Sequence, residues 1–195
     1  MYKRQLLEKW CYEKAISLGY KAKKVILTNP KVELTDNYYK MLKQIENFPD
    51  EPLSFECEFY GDYSIASFFE VDLAIKIPKY LLIIECKSYG IPFSEGENYI
   101  QWMDNFHYNM HQTVVKGKHI LFNIEEKNIQ HEFFEDTIKF IPIIVQTEGI
   151  FPNYGIIQFR YFERFLKELG EHIKNDSLED FLKNPLKHEI NKSKP

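Results

Sequence analysis

The sequence predicts an α/β domain in which helices cover a mixed β-sheet. Three observations support this: helical spacing of apolar residues near the N-terminus, two apolar segments of strand length on either side of a Pro78-Lys79 turn, and a strand-length apolar segment at 138–146 after a long helical stretch. Helices and strands that follow one another in this order are typical of layered α/β folds. The 195 residues, 44% of them apolar, suffice for one domain with a substantial core.

The N-terminal part of the chain is predicted to form a helix, a strand, a second helix and another strand. Apolar side chains in 3–18 share one broad helical face, and Gly19 suits the position just after the helix because glycine tolerates a positive φ. A short strand is expected at 25–28, a helix near 37–47 and a further strand at 55–60.

The centre of the chain carries the clearest strand pattern. Residues 68–77 alternate between two faces, and after the Pro78-Lys79 turn residues 80–88 run back as a nearly continuous apolar strand. The alternation assigns Phe69, Val71, Leu73 and Ile75 to one face and Glu70, Asp72 and Ala74 to the other. The apolar character of 80–88 predicts a central strand that is covered on both faces.

The C-terminal half is predicted to add a long helix, two strands and two helices. The helix is expected at 98–122, the strands at 138–146 and 155–160, and an amphipathic helix at 161–173. Ser177 is a candidate cap for a last short helix.

The whole chain, 1–195, is predicted to be a single cytoplasmic domain, with an insertion at about 29–54 and C-terminal helices at about 161–185. The three cysteines are isolated in sequence and form no CxxC pair, which indicates reduced thiols. No apolar run approaches the roughly 18 residues that span a bilayer, so no membrane partner is expected.

The net charge of −4 argues against a large non-specific surface for DNA, because phosphates are neutralised by lysine and arginine. Local basic clusters remain available, since Lys21, Lys23 and Lys24 lie close together, as do Lys116 and Lys118. Such clusters are more often solvated surface than binding sites.

Acidic and basic side chains interrupt the central hairpin where it should be most apolar. Glu85 and Lys87 point to the same side of their strand because side chains alternate, and the turn folds the preceding strand so that Asp72 can lie beside Glu85. Buried charges are costly unless they are paired or bind a cation. Two carboxylates suit Mg²⁺ or Mn²⁺, and a lysine can assist an attacking water or stabilise charge on a phosphate. The pattern therefore predicts metal-dependent hydrolysis of a phosphodiester.

Asp72, then twelve intervening residues, then Glu85-Cys86-Lys87, resembles the PD-(D/E)XK nuclease motif. The local sequence Glu-Val-Asp and then Ile-Ile-Glu-Cys-Lys-Ser is similar to Mrr-type restriction endonucleases and to nuclease-related domain proteins. The resemblance implies a restriction-endonuclease-like three-layer core and a Mg²⁺- or Mn²⁺-dependent endonuclease acting on DNA, in restriction, phage defence or repair. It leaves open a homodimer or a larger defence complex.

The resemblance also implies further site residues. A glutamate on the first helix before a Gly-Tyr element makes Glu8 the better candidate metal ligand and Glu13 the weaker one. A glutamine on the helix after the lysine strand makes Gln112 a candidate catalytic residue. The carbonyl of Cys86 is a candidate additional metal ligand, beside Asp72 and Glu85.

Other interpretations stay open at this point. Asp72, Glu85 and Lys87 can form a purely structural group of ion pairs, and Glu70 shares a face with Asp72 either as a ligand or as a supporting ion-pair partner. A nuclease fold without activity can serve as a module that binds nucleic acid or a protein. A structural or interaction protein without metal is the remaining alternative.

Overall fold

The computed structural model of this chain describes residues 2–88, 96–147 and 156–183. The predicted single domain over 1–195 therefore includes four parts outside the described residues, namely 1, 89–95, 148–155 and 184–195. The elements, in chain order, are α1 (Tyr2–Ser17), β1 (Lys21–Thr28), α2 (Asp36–Ile45), β2 (Leu53–Glu56), β3 (Phe68–Ile77), β4 (Tyr80–Lys87), α3 (Gly96–Glu125), β5 (Lys139–Gln146), β6 (Ile156–Gln158), α4 (Phe159–Lys174) and α5 (Leu178–Lys183).

The strands form one mixed sheet of six, in the order β2-β1-β3-β4-β5-β6. The central pairs β1–β3 and β3–β4 are antiparallel, whereas β1–β2, β4–β5 and β5–β6 are parallel. The predicted α/β fold with a mixed sheet between helices is thereby confirmed. β4 is buried along almost its whole length, as expected for an apolar central strand.

Two apolar cores lie on the two faces of the sheet. One packs the sheet against α1, α4 and α5, and its helical members are Leu7, Cys11, Ala15, Phe162, Leu166, Leu169 and Phe181. The other packs the opposite face against α3, mainly through Val115 and Ile120. Helices on both faces of one sheet give three layers, and β3 and β4 lie in the middle layer.

The predicted element boundaries hold best where the sequence alternates or carries a turn signal. β3 begins and ends as predicted, Lys79 adopts the positive φ of 62° that its tight turn requires, and Gly19 ends α1 with φ 83°. Two boundaries are wrong by four residues, and the first is the start of β1, which lies at Lys21 rather than at residue 25. β2 is correspondingly shorter than predicted and ends at Glu56.

The predicted division of β3 into two faces is wrong beyond Val71. The register against β1 changes from Val25↔Val71 to Lys23↔Ala74, so two residues of β3, Asp72 and Leu73, oppose the single residue Lys24. This β-bulge reverses the alternation. As a result Val71 and Ala74 lie in the core under α3, while Leu73 lies in the core under α1 and α4.

No helix within the described ranges is long and apolar enough to cross a membrane. The segment predicted as an insertion, 29–54, contains α2 and the start of β2, which adds to the edge of the sheet beside β1.

Candidate functional site

The strands β3 and β4 separate at the β-bulge. Both strands are described in full, and their pairing runs from the turn to Leu73↔Ile84 and ends there. One residue further, Oδ2 of Asp72 accepts a hydrogen bond of 2.8 Å from the backbone N–H of Cys86. A side-chain carboxylate therefore replaces a backbone acceptor, and Asp72 is held with 0% of its surface exposed.

Three carboxylates converge beside this gap. Glu8 comes from α1, and Glu70 and Asp72 come from β3. One oxygen of each lies within 4.8 Å of the others, and Glu8 and Asp72 are buried. Oxygen donors at this spacing suit a hard divalent cation, because Mg²⁺ binds a few carboxylates and keeps several waters.

The guanidinium of Arg4 lies among these carboxylates. Its Nη2 is 2.5 Å from Asp72 Oδ1, 3.6 Å from Glu70 Oε2 and 3.8 Å from Glu85 Oε1. Its Nε is 2.8 Å from Glu8 Oε1, one helical turn along α1. Arg4 thus contacts the same three carboxylates that would hold a metal ion, and its side chain is 37% exposed, which leaves it a route into solvent.

Lys24 supplies a second cation from β1, opposite the bulge. Its Nζ donates to Glu8 Oε2 at 2.8 Å and to Glu70 Oε1 at 2.7 Å, and its side chain is completely buried. A buried ammonium is tolerated only when its hydrogen bonds and charge are satisfied. Lys24 therefore fixes the two glutamates relative to each other.

Glu85 is contacted from both layers of helices. Its Oε2 accepts a hydrogen bond of 2.5 Å from Lys116 of α3, and its Oε1 accepts one of 2.8 Å from Lys87 on the same strand. Arg4 of α1 approaches Oε1 from the other side of the sheet. Such a contact across the sheet is possible because β3 and β4 have separated at this level.

The charges in this group cancel. We call it the ion-pair network, and it consists of the carboxylates Glu8, Glu70, Asp72 and Glu85 and the cations Arg4, Lys24, Lys87 and Lys116. Four negative and four positive side chains leave no net formal charge. Cancellation of this kind offsets the cost of removing the charges from water.

The pKa values reflect this balance. Burial raises the pKa of Glu8 to about 7, aided by the negative charge of Asp72 and opposed by Lys24 and Arg4. Burial also opposes ionisation of Asp72, but Arg4 and Lys24 outweigh it and hold the pKa of this carboxyl below its usual range. Burial likewise disfavours the ammonium of Lys116, yet Glu85 and Asp72 raise its pKa. Asp72 is thus an anion near neutral pH, whereas Glu8 is poised to gain or lose a proton.

The residues present fit a divalent cation. The triad offers only oxygen donors and Asp72 is ionised. Of the two cations that contact the triad, Lys24 is buried, whereas Arg4 is partly exposed and is the one that an ion would displace. The triad differs in part from the predicted ligands, because it contains Glu70, while the oxygens of Glu85 are engaged by two lysines. The thiol of Cys86 packs in the core under α1 and its N–H is bound to Asp72. The use of the Cys86 carbonyl as a ligand stays a prediction.

The two candidate glutamates of α1 have different surroundings in the structure. Glu8 belongs to the ion-pair network, whereas Glu13 is exposed and lies 3.9 Å from Lys9. Gln112 flanks the network rather than joining it. It lies one helical turn before Lys116 and donates to the hydroxyl of Tyr63 at 3.4 Å.

Sequence reasoning missed three members of the network: Arg4, Lys24 and Lys116. A signal existed for each. Arg4 precedes Glu8 by four residues, the spacing at which helical side chains meet. Lys24 alternates with the buried Ala22 and Ile26 on β1, and Lys116 lies four residues before the buried Ile120 on α3.

Comparison of this chain with models of protein families, with curated proteins and with solved structures finds no match.

Proposed function

We propose that this protein is a Mg²⁺- or Mn²⁺-dependent nuclease that hydrolyses DNA phosphodiester bonds in the cytoplasm. The observation that carries the proposal is the convergence of Glu8, Glu70 and Asp72 with Glu85 and Lys87 where β3 and β4 separate. The three buried or partly buried carboxylates contact Arg4, whose partly exposed side chain can withdraw into solvent when a cation binds. The free thiols of the three cysteines support the location.

The proposal gives each side chain a distinct task. Glu8, Glu70 and Asp72 hold the cation, and the hydrogen bond from Cys86 N–H keeps Asp72 pointing into the gap. When bound, a divalent cation supplies Lewis-acid chemistry, lowering the pKa of water and offsetting charge on a phosphate. Lys87, 18% exposed at the end of β4, is the lysine that reaches the substrate.

Lys116 has a supporting task in the proposal. Its side chain is only 12% exposed and its Nζ is bound to Oε2 of Glu85. It therefore fixes Glu85, and Glu85 in turn orients Lys87 through their 2.8 Å hydrogen bond. An oriented ammonium stabilises developing charge better than a free one, because no reorganisation is needed during the reaction.

The test is nicking of supercoiled plasmid by purified protein with Mg²⁺, with Mn²⁺ and with EDTA. Asp72→Asn keeps an acceptor for Cys86 N–H but removes the negative charge of the ligand. Glu70→Gln removes the negative charge of a second ligand at a more exposed position. Asp62→Asn is the matched control, since Asp62 is exposed in a turn. Nicking should require metal and fall at least about a hundredfold in the first two variants, with Asp62→Asn unchanged.

A second candidate function is an inactive nuclease-like module that binds nucleic acid or a protein. The complete ion pairing of the network favours it, because the group is neutral without a metal. Under this alternative, Mn²⁺ does not raise the melting temperature, and the wild type does not nick plasmid with any metal. A metal-dependent rise in melting temperature that is lost in Asp72→Asn supports the nuclease instead.

A further inference from the structure

A cavity of about 420 Å³ lies between α1 and α2, beside the ion-pair network. Its walls include Glu8 and Lys24, so it shares a side with the carboxylate triad. Ligand pockets typically measure roughly 300–1,000 Å³, and this cavity is in the lower part of that range. It therefore has room for a ligand of about the size of one nucleotide.

The charge of the cavity is uneven. At its inner side lie Lys24 and Glu8, which belong to the ion-pair network, and the formal charges of that network as a whole cancel. At its rim lie the exposed Lys9 and Lys43, and within the described ranges Lys43 forms no ion pair. A positive rim over a neutral interior suits a ligand with an anionic group at one end and an uncharged body.

The lining of the cavity combines a partly buried aromatic ring with amide groups. Phe48 lines the cavity, and its ring is held in place by Lys24, whose Nζ lies 5.3 Å from the ring centroid, and by the edge of Tyr12. Gln5 and Asn47 also line the cavity. An aromatic face with amides around it matches the stacking and the hydrogen-bonding edge of a nucleobase.

We propose that this cavity binds one unpaired nucleotide next to the scissile phosphate, so that the substrate is single-stranded or locally opened DNA. Lys43 contacts the phosphate at the rim, and Phe48 and Asn47 contact the base. The inference rests on the proposed nuclease function for the identity of the ligand. A base enclosed in a cavity cannot remain paired in a duplex, and unpairing costs free energy that a single strand does not require.

The position of the cavity supports the connection with the triad. Because Glu8 belongs to both, a strand whose phosphate lies at the triad carries its neighbouring nucleotide past Glu8 to the cavity. One wall of the cavity is formed by α2 and by the two residues Asn47 and Phe48 that follow it, all within the segment that the sequence marks as an insertion. On this view the insertion selects the form of the substrate, whereas β3 and β4 carry the chemistry.

The test is binding of a fluorescent oligonucleotide in EDTA, measured by anisotropy for the single strand and for its duplex. Lys43→Glu is compared with Lys40→Glu, which makes the same charge change on the exposed surface of α2 but does not line the cavity. Asn47→Ala removes an amide without changing charge. A thermal melt of each variant establishes that it is folded.

Wild type should bind the single strand at least about tenfold more tightly than the duplex. Lys43→Glu should weaken single-strand binding about tenfold beyond the effect of Lys40→Glu, and Asn47→Ala should weaken it about threefold. Equal effects of the two charge reversals, or equal affinity of wild type for both forms of DNA, would overturn the proposal. Single-strand binding that depends on Lys43 without any nicking refutes the nuclease and leaves the cavity assignment standing. Metal-dependent nicking together with unchanged single-strand binding in Lys43→Glu supports the nuclease and refutes the cavity assignment.

Discussion

Replacement of Arg4 by methionine should make the protein less stable without metal and a tighter binder of Mn²⁺. Methionine keeps an unbranched apolar chain on α1 but removes the guanidinium that contacts four carboxylates. A divalent ion held by Glu8, Glu70 and Asp72 would lie among the same oxygens. In the wild type the guanidinium must withdraw before the ion can bind, whereas in the variant Lys24 still binds Glu8 and Glu70 but no guanidinium has to be displaced.

The size of the effect follows from the burial of the partners. Loss of one member of a fully buried ion pair costs about 3–5 kcal/mol, and loss of an exposed pair costs about 0–1 kcal/mol. Asp72 is completely buried while the side chain of Arg4 is 37% exposed, so an intermediate value of about 2 kcal/mol applies. The same free energy opposes metal entry in the wild type. Its removal should therefore raise the affinity for Mn²⁺ about thirtyfold.

Calorimetric titration with Mn²⁺ after treatment with EDTA measures the affinity, and urea unfolding with and without Mn²⁺ measures the stability. Lys9→Met is the matched control, because it removes a cation from the same helix whose carboxylate partner, Glu13, is exposed. Lys9→Met should change neither the affinity for Mn²⁺ nor the free energy of unfolding by more than the experimental error. At saturating Mn²⁺ the Arg4→Met variant and the wild type should become nearly equal in stability, since the metal then replaces the guanidinium in both.

The reasoning fails if Arg4→Met binds Mn²⁺ no more tightly than the wild type while it is destabilised as expected. Arg4 would then support the carboxylates without competing for them. If neither protein binds Mn²⁺, the proposal of a metal site is refuted, and the ion-pair network has a structural role.

Two further outcomes are expected. Lys87→Ala should stay folded, because Lys116 still neutralises Glu85, yet plasmid nicking at saturating Mn²⁺ should fall about a hundredfold; wild-type nicking in this variant would remove Lys87 from the chemistry. His119 is buried among aromatic rings, and burial lowers its pKa from 6.5 to about 4. Because the unfolded chain takes up this proton first, the contribution of His119 to stability is present above pH 6.5 and is lost as the pH falls towards 4, by about 2 kcal/mol at pH 5. Urea unfolding of wild type and His119→Phe at pH 8 and pH 5 checks this, and an identical pH dependence in both would contradict it.

The central hairpin was predictable because its signals are local. Alternation in β3, the turn at Pro78-Lys79 and the apolar run of β4 each depend on neighbouring residues. The structure follows the turn and the bounds of β3, and it follows the alternation of β3 as far as Val71. The bulge at Asp72 and Leu73 was not predictable in this way. A bulge is defined by the partner strand, and its only trace in the sequence is an acid at a position that becomes buried.

The cations of the network were missed for a related reason. A lysine on a strand or helix is ordinarily solvated, and only the tertiary structure shows that the side chain of Lys24 is completely buried between two glutamates. Lys24 lies opposite the bulge, so its burial and the irregularity of β3 arise together. An error of four residues in the start of β1 was enough to leave Lys24 outside the predicted strand.

The neutral network also bears on the proposed action on DNA, because the chain as a whole has a net charge of −4. Each carboxylate of the site is offset by a cation within a few ångströms, so the site adds no net repulsion to an approaching phosphate. Entry of a divalent cation in place of Arg4 makes the site more positive by one charge and frees a guanidinium beside the triad. The substrate then meets a positive site although the chain as a whole is acidic. The overall charge therefore argues against broad non-specific binding, and it leaves local attraction at the gap between β3 and β4 intact.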